Sequence, residues 1–381
     1  MERINVEEFV DYLRFRGLNL WAGVPDSLLK DLCACASNSL EEKFVITANE
    51  GNAVGVACGW HVATGEPAVV YMQNSGEGNA INPLVSLADR NVYSIPMLLV
   101  IGWRGEPGVQ DEPQHVKQGQ VTLSLLESLG IHYEVLEETL WRHQLNGLLS
   151  MMIESSSPVA LVIRKNTFTP YSFEAKSIDA FFTREEALRA ILRKTRSDEF
   201  TVSTTGKESR ELYSVREERI ENHDKDFLCI GGMGHTLSVA WGLARGHPNS
   251  LVWCLDGDGS MIMHMGSLAV FAQAWPKNLR YIVNINGVHE SVGGQPNVAN
   301  HIDVAGILRS CGFENVVEAQ LLVEVERGMD ACRYNDVYAM VIYTQLGSRS
   351  DLGRPNIPPC RLKESMMALT VRQTATYKLS E

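Results

Sequence analysis

The sequence lacks any hydrophobic run that approaches the roughly 20 residues required for a transmembrane helix. Its opening stretch, MERINVEEFVDYLRFRG, mixes acidic and basic side chains, whereas a secretory leader has an apolar core and a mitochondrial leader is poor in acids. We therefore expect neither a membrane span nor a targeting leader. A cytoplasmic location follows as the default expectation.

Basic residues are scarce relative to acidic ones. Lys and Arg together number 34 against 46 Asp and Glu, which gives a formal net charge of -12 at pH 7. Proteins that bind nucleic acids grip the phosphate backbone through clustered Lys and Arg side chains, so we expect no nucleic-acid partner. An anionic substrate would need a local cluster of cations in this acidic chain.

Paired cysteine motifs are also absent. The eight cysteines are scattered along the chain, and only Cys33 and Cys35 are close neighbours. Their spacing is neither a CxxC redox motif nor half of a zinc framework. Reduced cysteines with structural roles are therefore the favoured interpretation, as expected inside a cell.

Short apolar runs, separated by helix-length segments, dominate what the chain does contain. One set lies at 44–48, 67–72, 95–103 and 158–165, and a second set lies at 226–232, 251–257, 280–287 and 338–344. Continuous apolar strands that alternate with helices are typical of mostly parallel sheets covered by helices on both faces. At 381 residues the chain also exceeds one ordinary core. The sequence predicts an α/β fold with two such domains.

The boundary between the two domains is predicted from a change in composition. The stretch NTFTPYSFEAKSIDAFF is aromatic and polar, contains a proline and has no clear period. After it, Thr183 and Glu186 have the spacing of a capping box ahead of an amphipathic run. We predict a first domain over 1–170, a linker over 171–182 and a second domain over 183–381.

The apolar run 251–257 leads directly into the segment DGDGS at positions 256–260. In open parallel sheets, ligands bind beyond the carboxyl ends of the strands. Gly257 and Gly259 would let the backbone approach a ligand closely, and Asp258 between them would bind a hard cation. Taken alone, however, a glycine and aspartate segment is more often an ordinary turn.

A second oxygen ligand at a matching place favours a metal site. Asn286 ends the next apolar run, 28 positions after Asp258, which leaves room for one helix and one strand of the same sheet. The Asp258 carboxylate, the Asn286 amide oxygen and the backbone carbonyl of Val288 would suit octahedral Mg²⁺, with phosphate oxygens and water completing the sphere. The sequence therefore predicts a magnesium and diphosphate site.

A dinucleotide-binding motif is the alternative interpretation of the same region. The segment IGGMGHTLSVAWGLA followed by LVWCLD resembles that fingerprint, with Asp256 as the acid that binds ribose. The third glycine is missing, because Thr236 and Leu237 occupy its region, and Asp258 and Asn286 would have no role. We rank this alternative lower and assign Asp256 no chemical role beyond shaping the strand end.

These motifs resemble the diphosphate-binding half of thiamin-diphosphate enzymes, whose signature is GDG followed by Asn-Asn after a gap of under thirty residues. Here GDGS is Gly257 to Ser260, and Ile285 stands where the family has its first Asn. The resemblance implies that Asn286, which matches the second Asn, binds the metal. It also implies that Met233, after Gly232 in GGMGHT, supports the bent cofactor.

The first half of the chain resembles the pyrimidine-binding half of the same enzymes. Glu50 in ITANEGNAVGVACGW matches the glutamate that contacts the aminopyrimidine ring. The loop QNSGEGNAINPL resembles the family loop SGPGxxN, with Glu77 where many members have proline. Two thiamin-diphosphate-binding domains are therefore implied, with the pyrimidine-binding domain first and the diphosphate-binding domain second.

Segments spread over positions 23–355, among them GVPDSLLK, TTGKESREL and GVHESVGGQPN, resemble the phosphonopyruvate decarboxylase family, with sulfopyruvate decarboxylases as near relatives. The resemblance implies decarboxylation of 3-phosphonopyruvate to 2-phosphonoacetaldehyde and CO₂ in phosphonate biosynthesis, with thiamin diphosphate and Mg²⁺ as cofactors. It also implies at least a homodimer with active sites between subunits. Sulfopyruvate decarboxylation, another 2-oxoacid decarboxylation, a carboligase activity and a non-catalytic nucleotide-binding protein remain as alternatives.

The same resemblance implies catalytic roles for Glu50, Asp26 and His115. We predict that Asp26, Ser27, Arg104, His115 and Lys117 contact the substrate, whose phosphonate needs hydrogen-bond donors. For Asp26 an equally good alternative is a helix N-cap before SLLKDL.

Two other cations, Arg349 and Arg354, are favoured as solvated surface residues. The segment HESVGGQPN at 289–297 is either a lid over the cofactor or a plain loop.

Overall fold

The computed structural model describes residues 3–175, 178–335 and 338–378. The chain divides into two compact units. One comprises Met1–Ala175 together with His289–Gln295, and the other comprises Lys176–Val288 together with Pro296–Glu381. Each unit is built on one six-stranded sheet, and all observed strand pairs are parallel.

The sheet of the first unit has the strand order β2-β1-β3-β4-β6-β5. Its strands are β1 Trp21–Gly23, β2 Phe44–Ile46, β3 Ala68–Gln73, β4 Met97–Gly102, β5 His132–Val135 and β6 Val159–Ile163. The helices are α1 Val6–Phe15, α2 Lys30–Leu40, α3 Glu50–Thr64, α4 Glu77–Pro83, α5 Pro113–Ser128 and α6 Trp141–Ser155. A 3-10 turn, Asn74–Gly76, precedes α4, and a π-helical turn, Leu84–Ala88, follows it.

The first sheet is buried on both faces. Along β3, Val69 and Tyr71 pack into one hydrophobic cluster, while Val70 and Met72 pack into another. This alternation follows from the two-residue period of a strand, which sends successive side chains to opposite faces. A strand buried on both sides must be apolar throughout, which is why the continuous apolar runs form the centre of the sheet.

The sheet of the second unit has the strand order β11-β12-β10-β9-β7-β8. Its strands are β7 Phe200–Ser203, β8 Asp226–Leu228, β9 Val252–Gly257, β10 Leu279–Ile285, β11 Val316–Ala319 and β12 Ala339–Tyr343. The helices are α7 Arg184–Lys194, α8 Lys207–Glu218, α9 Thr236–Gly246, α10 Asp258–Met263, α11 Gly266–Ala272, α12 Val304–Cys311, α13 Leu322–Tyr334 and α14 Pro359–Lys378. A 3-10 turn lies at Val298–His301, and another, Glu290–Val292, lies in the segment His289–Gln295 that belongs to the first unit.

The second unit repeats the packing of the first. Within β9, Trp253 and Leu255 belong to the cluster on one face, and Cys254 belongs to the cluster on the other. At the start of α7, the backbone N–H of Thr183 donates to Glu186 Oε2 at 2.7 Å, and Thr183 Oγ1 accepts from the backbone N–H of Glu186 at 3.3 Å. The predicted capping box is therefore present.

The predicted fold class, two α/β domains with mostly parallel sheets flanked by helices, is confirmed. Each of the eight predicted apolar runs contains a strand, but four further strands, β1, β5, β7 and β11, were not predicted. In addition, two short helices, α10 and α11, lie between Asp258 and β10, where one helix was expected. The missed strands are short, and β5 and β11 lie at sheet edges, where partly exposed positions need not be apolar.

All eight cysteines are free thiols, and five of them are buried. Burial raises the pKa of the Cys229 and Cys332 thiols to about 12, which keeps them protonated and unreactive at neutral pH. Among the helices that the structure describes, none combines the length and the apolar character needed to cross a bilayer.

Candidate active site

Asp258 begins α10 directly after β9, at the carboxyl edge of the second sheet, and is buried. Its Oδ2 accepts hydrogen bonds from the backbone N–H groups of Asn286, at 3.1 Å, and Gly287, at 2.7 Å. Its Oδ1 accepts from the backbone N–H of Gly259 at 2.7 Å. Burial raises the pKa of Asp258, although these N–H donors oppose the shift. The structure thus brings Asp258 together with the loop that carries Asn286.

The loop after β10 is held by its own side chains. Asn286 is buried, and its Oδ1 accepts from the backbone N–H of Val288 at 3.1 Å. Gly287 has a φ of +75°, and a Cβ atom there would lie 1.9 Å from Asn300 Nδ2, so this position requires glycine. The geometry gives Asn286 and Val288 a defined place beside Asp258.

The donor set at this edge fits a hard cation. A buried carboxylate, an amide oxygen and loop carbonyls are the oxygen ligands that Mg²⁺ prefers. Within the described ranges, His, Cys, Asp and Glu side chains form no group of three or more that could hold a metal ion. A cation beside Asp258 would therefore also need amide, carbonyl and phosphate oxygens as ligands. The residues Asp258, Asn286 and Val288 therefore fit the Mg²⁺ that the resemblance implies, with phosphate oxygens as further ligands.

Two glycine-containing segments meet at Ser260, two residues after Asp258. Ser260 is buried, and its Oγ accepts from the backbone N–H of Gly234 at 3.1 Å. This bond joins the segment Gly257–Ser260 to the turn between β8 and α9, which contains Gly232 and Met233. Gly232 is exposed with a φ of +67°, and Met233 is half-buried. The predicted cofactor-binding residues of this unit thus lie on three segments, these two and the loop after β10 that carries Asn286 and Val288.

Two histidines at this junction were not singled out from the sequence. His235 follows the Gly232–Gly234 turn, and His264 follows α10. Their rings stack, with centroids 4.6 Å apart and an angle of 22° between the planes. The available signal was that each histidine lies within a few residues of a predicted cofactor segment.

Asp256 is a structural acid at the end of β9. It is buried, and it accepts hydrogen bonds from Tyr281 Oη and from the backbone N–H of Gly257, both at 3.0 Å. Nearby, Glu208 in the first turn of α8 is buried and accepts from Asn284 Nδ2 at 2.6 Å. Burial raises the pKa of Glu208 to about 8. These contacts agree with the strand-end role assigned to Asp256, whereas Glu208 was not identified from the sequence.

In the first unit, Glu50 begins α3 after β2 and is only 4% exposed. Its Oε2 accepts from Asn79 Nδ2 at 2.7 Å. A Cβ atom on Gly76 would lie 2.2 Å from Glu50 Oε1, so the glycine leaves the space that the carboxyl group occupies. Burial raises the pKa of Glu50, as expected for a carboxyl group removed from water.

Asp26 is fully buried in the loop after β1. Its Oδ2 accepts from the backbone N–H groups of Leu28, at 2.9 Å, and Leu29, at 3.2 Å, while Oδ1 has no hydrogen-bond partner among the residues described. Burial raises the pKa of Asp26 to about 6. Because α2 begins only at Lys30, the alternative that Asp26 is the N-cap of a helix over SLLKDL is wrong, and Asp26 folds a turn ahead of that helix.

Arg104 lies just after β4 and is held in place by hydrogen bonds to three neighbouring residues. Its guanidinium group pairs with Asp111, with Nε and Oδ2 2.8 Å apart, and its Nη1 donates to Ser27 Oγ at 2.8 Å. The Asn74 side chain donates to the Arg104 carbonyl at 2.8 Å and accepts from its N–H at 3.2 Å. The positive charge on Arg104 also lowers the pKa of the neighbouring Asp26, which opposes the effect of burial. The structure thus brings Asp26, Ser27 and Arg104 together.

His115 and Lys117 lie in the first two turns of α5. His115 is half-buried and Lys117 is exposed. Gly105, with a φ of +69°, packs so closely that a Cβ atom there would lie 1.9 Å from the His115 carbonyl oxygen. The loop that carries Arg104 therefore rests on the start of α5, so His115 lies near this loop.

Arg349, in the second unit, forms ion pairs with Glu185, at 3.3 Å, and Glu218, at 3.1 Å. This pairing agrees with the expectation that it is a surface cation rather than a substrate ligand.

Glu77, at the start of α4, is a third buried carboxyl group of the first unit, after Asp26 and Glu50, and is 4% exposed. Gln118 Nε2 donates to its Oε2 at 3.4 Å, and Oε1 has no hydrogen-bond partner in the part of the chain described. Burial raises the pKa of Glu77 to about 8, so the side chain is largely neutral at pH 7.

Substitution of Glu77 by glutamine is expected to stabilise the protein increasingly as the pH rises. The folded pKa lies above the unfolded value near 4.5, so between these values the folded state holds the proton more tightly and stability falls with pH. Glu77→Gln removes that loss and should gain about 4 kcal/mol at pH 8. Urea unfolding at pH 5 to 8 measures the difference. Glu154→Gln, at an exposed position on α6, serves as the control, and a pH-independent difference between Glu77→Gln and the parent would refute the interpretation.

Comparison with known proteins extends over both halves of the chain. Residues 6–126 match the family model described as the N-terminal TPP binding domain of thiamine pyrophosphate enzymes. Residues 220–342 match the model described as the C-terminal TPP binding domain of the same enzymes. The first match includes the Glu50 region, and the second includes the Asp258 and Asn286 loops.

Individual relatives are similar over nearly their whole length. A phosphonopyruvate decarboxylase from Streptomyces viridochromogenes is 30% identical, over 98% of this chain and 96% of the relative. One from Streptomyces hygroscopicus is 32% identical, over 93% of this chain and 91% of the relative. A sulfopyruvate decarboxylase from Methanosarcina acetivorans is 28% identical, over 92% of this chain and 93% of the relative.

Proposed function

The chain belongs to the thiamine pyrophosphate-dependent decarboxylases, which act on 2-oxoacids, and on that basis we propose that its substrate is 3-phosphonopyruvate. Thiamine pyrophosphate is the same compound as thiamin diphosphate. The products would be 2-phosphonoacetaldehyde and CO₂, in phosphonate biosynthesis. The substrate assignment is carried by the near-full-length similarity to two phosphonopyruvate decarboxylases, at 30% and 32% identity.

The second unit would hold the diphosphate end of the cofactor. Asp258, Asn286 and the carbonyl of Val288 would bind Mg²⁺, and the segment Gly257–Ser260 with Gly232 would receive the diphosphate. Met233, half-buried in the neighbouring turn, would support the thiazolium ring. We accordingly assign 183–381 as the diphosphate-binding domain, 1–170 as the pyrimidine-binding domain and 171–182 as the linker.

Glu50 would hold the pyrimidine ring. Its carboxyl group is buried beside Asn79, where a hydrogen bond to a ring nitrogen is not weakened by competing water. The raised pKa of Glu50, caused by burial, favours the protonated form that such a bond requires. When bound, thiamin diphosphate supplies the electron sink for the electron pair that remains as CO₂ departs.

Asp26 and His115 would exchange the protons of the reaction. The pKa of Asp26, raised to about 6 by burial, lies close to neutral pH, where a carboxyl group can both give and take a proton efficiently. Its Oδ1, which has no hydrogen-bond partner among the described residues, is the atom available for this exchange. His115, half-buried near the loop that carries Arg104, would deliver the proton that replaces CO₂ on the product carbon.

Arg104 and Ser27, with Lys117, would receive the phosphonate group. The pairing with Asp111 orients the planar guanidinium group, and the bond to Ser27 Oγ places a hydroxyl group beside it. A guanidinium group and a hydroxyl group are suitable partners for phosphonate oxygens, because both present directed N–H or O–H donors.

A comparison of substrates tests the assignment. Purified protein supplied with thiamin diphosphate and Mg²⁺ is expected to release CO₂ from phosphonopyruvate with a kcat/KM at least about tenfold above that for sulfopyruvate or pyruvate, the effect of one well-made charged contact. Equal or faster turnover of sulfopyruvate would overturn the substrate assignment and leave the family intact. A product with a new C–C bond would identify a carboligase, and cofactor binding without any turnover would favour the non-catalytic alternative.

We also propose that two copies of the chain form the active unit, with active sites between subunits. Helix α3, which Glu50 begins, carries glycines at Gly55 and Gly59, where a Cβ atom would meet no described atom within 4 Å. On the same helix Val62 is 75% exposed. A glycine inside a helix costs about 1 kcal/mol relative to alanine, so its use on an open, apolar surface is best explained by close packing of a second subunit.

Gly59→Arg is expected to give a monomer with at least about tenfold lower activity, because a desolvated arginine side chain would break a close helix contact. The fold should remain, since the site is open within the chain. Size-exclusion chromatography with light scattering measures the mass, and circular dichroism checks the fold. Gly147→Arg on α6, another helix glycine in open space, is the matched control. A parent protein that is already monomeric, or an unaffected Gly59→Arg dimer, would contradict the proposal.

A further inference from the structure

His235 and His264, the stacked pair of the second unit, lie where the segments of Met233 and Ser260 meet. His235 is exposed immediately before α9, and His264 is half-buried immediately after α10. The ring centroids are 4.6 Å apart. None of the roles assigned above uses either imidazole.

The arrangement of the pair depends on Gly234. Its φ is +86°, and a Cβ atom at this position would lie 2.4 Å from Cδ2 of the His264 ring. The backbone N–H of Gly234 also donates to Ser260 Oγ at 3.1 Å. The pair is therefore held by the same contact that joins the two glycine segments, which makes it part of this site rather than a chance surface contact.

The polar groups of the pair are incompletely satisfied within the chain. His264 Nε2 is buried, and it has no hydrogen-bond partner among residues 3–175, 178–335 and 338–378. A buried polar atom without a partner is unfavourable, and such atoms at a binding site commonly await a ligand. Burial lowers the pKa of His264, and the neighbouring His235 lowers it further, so the neutral imidazole can either donate or accept a hydrogen bond at Nε2.

The surroundings of the pair favour an anion. Helix α9, of 11 residues, begins at Thr236, directly after His235, and the N–H groups and dipole at a helix start attract negative charge. The Gly257–Ser260 segment adds further backbone near the same place through the Gly234 bond. An oxygen that carries negative charge satisfies both the helix terminus and an imidazole N–H.

We propose that His235 and His264 form a binding site for an oxygen of a tetrahedral phosphorus oxyanion. Within the proposed function, on which this inference rests, two groups have that chemistry: the diphosphate of the cofactor and the phosphonate of the substrate. The pair contacts one of them through the imidazole nitrogens, and Gly234 and Ser260 hold the two rings in place.

Two substitutions remove the nitrogen atoms and keep the rings. His264→Phe retains the stack on His235 but lacks Nε2, and His235→Phe changes an exposed side chain that the fold does not require. If the cofactor is the ligand, the dissociation constant for thiamin diphosphate at fixed Mg²⁺, measured by tryptophan fluorescence, should rise about tenfold, the usual effect of losing a hydrogen bond to a charged group. If the phosphonate is the ligand, calorimetric binding of methylphosphonate to cofactor-saturated protein should weaken by a similar factor.

Both titrations measure binding, so they decide the inference even if the protein does not decarboxylate phosphonopyruvate. His247→Gln, at the opposite end of α9, is the matched control and should leave both constants unchanged. Unchanged binding of thiamin diphosphate in both phenylalanine variants, together with unchanged or undetectable binding of methylphosphonate, would overturn the proposal. An equal loss in His247→Gln would overturn it as well, because the effect would then be general.

Discussion

Glu50→Gln is expected to lower kcat by at least about a hundredfold while the dissociation constant for thiamin diphosphate stays within about threefold of the parent. Glutamine has the same shape and can still accept the hydrogen bond from Asn79, so the pocket should keep its form. It cannot give up a proton to the pyrimidine ring, as the carboxyl group of Glu50 could through the hydrogen bond proposed above. Steady-state kinetics at saturating cofactor and a fluorescence titration measure the two quantities.

The control for this experiment is Glu42→Gln. Glu42 is exposed in the 3-10 turn Glu41–Lys43 just before β2, close in sequence to Glu50 but without buried contacts. It should retain parental kinetics. An unchanged kcat in Glu50→Gln would remove Glu50 from the mechanism, whereas a loss of cofactor binding that accounts for the whole effect would reduce its role to binding.

Asp258→Asn is expected to abolish binding of thiamin diphosphate at millimolar Mg²⁺ and to lower the melting temperature. Both carboxylate oxygens accept backbone hydrogen bonds, from Gly259 on one side and from Asn286 and Gly287 on the other. An amide must turn its NH₂ group toward one of these N–H donors, which leaves buried groups unpaired at a cost of about 1–3 kcal/mol. The variant also loses the negative charge that a metal ligand supplies.

Calorimetric titration of the protein with thiamin diphosphate in the presence of Mg²⁺ measures cofactor binding, and thermal unfolding measures stability. Together they separate the two effects of Asp258→Asn. Asp303→Asn is the matched control, because Asp303 caps α12 by accepting from the backbone N–H of Gly306 at 2.7 Å, and asparagine caps a helix equally well. It should change neither quantity. Parental cofactor affinity in Asp258→Asn would remove Asp258 from the metal site.

The strands of the two sheets differed in how well the sequence predicted them. Strands β3, β4, β9 and β10 lie inside their sheets and consist mainly of apolar residues, so their runs were recognisable. Strands β5 and β11 lie at sheet edges and are partly exposed, so no apolar run marks them. Their pairing with β6 and β12 holds them in place, and that pairing depends on residues distant in the chain.

The candidate site likewise contains features that the sequence predicted and features that it did not. The sequence predicted that Asp258 and Asn286 lie at one edge, because consecutive parallel strands end on the same side of a sheet. It did not indicate that His235 and His264 stack, since that contact needs the close approach of Gly234 to the His264 ring. The alternative of an N-cap at Asp26 was wrong because the helix begins three residues later than the local pattern indicated.

The sequence by itself determined the alternation of strands and helices, and therefore the sheet edges at which Glu50 and Asp258 follow their strands, because the period of apolar residues is a local property. Only the tertiary structure decided which acids are buried and what they contact. Glu50 meets Asn79, and the pKa values of Asp26 and Glu77 rise because segments far apart in sequence exclude water from their carboxyl groups. Protonation and hydrogen bonding at the site are thus properties of packing, which no local pattern encodes.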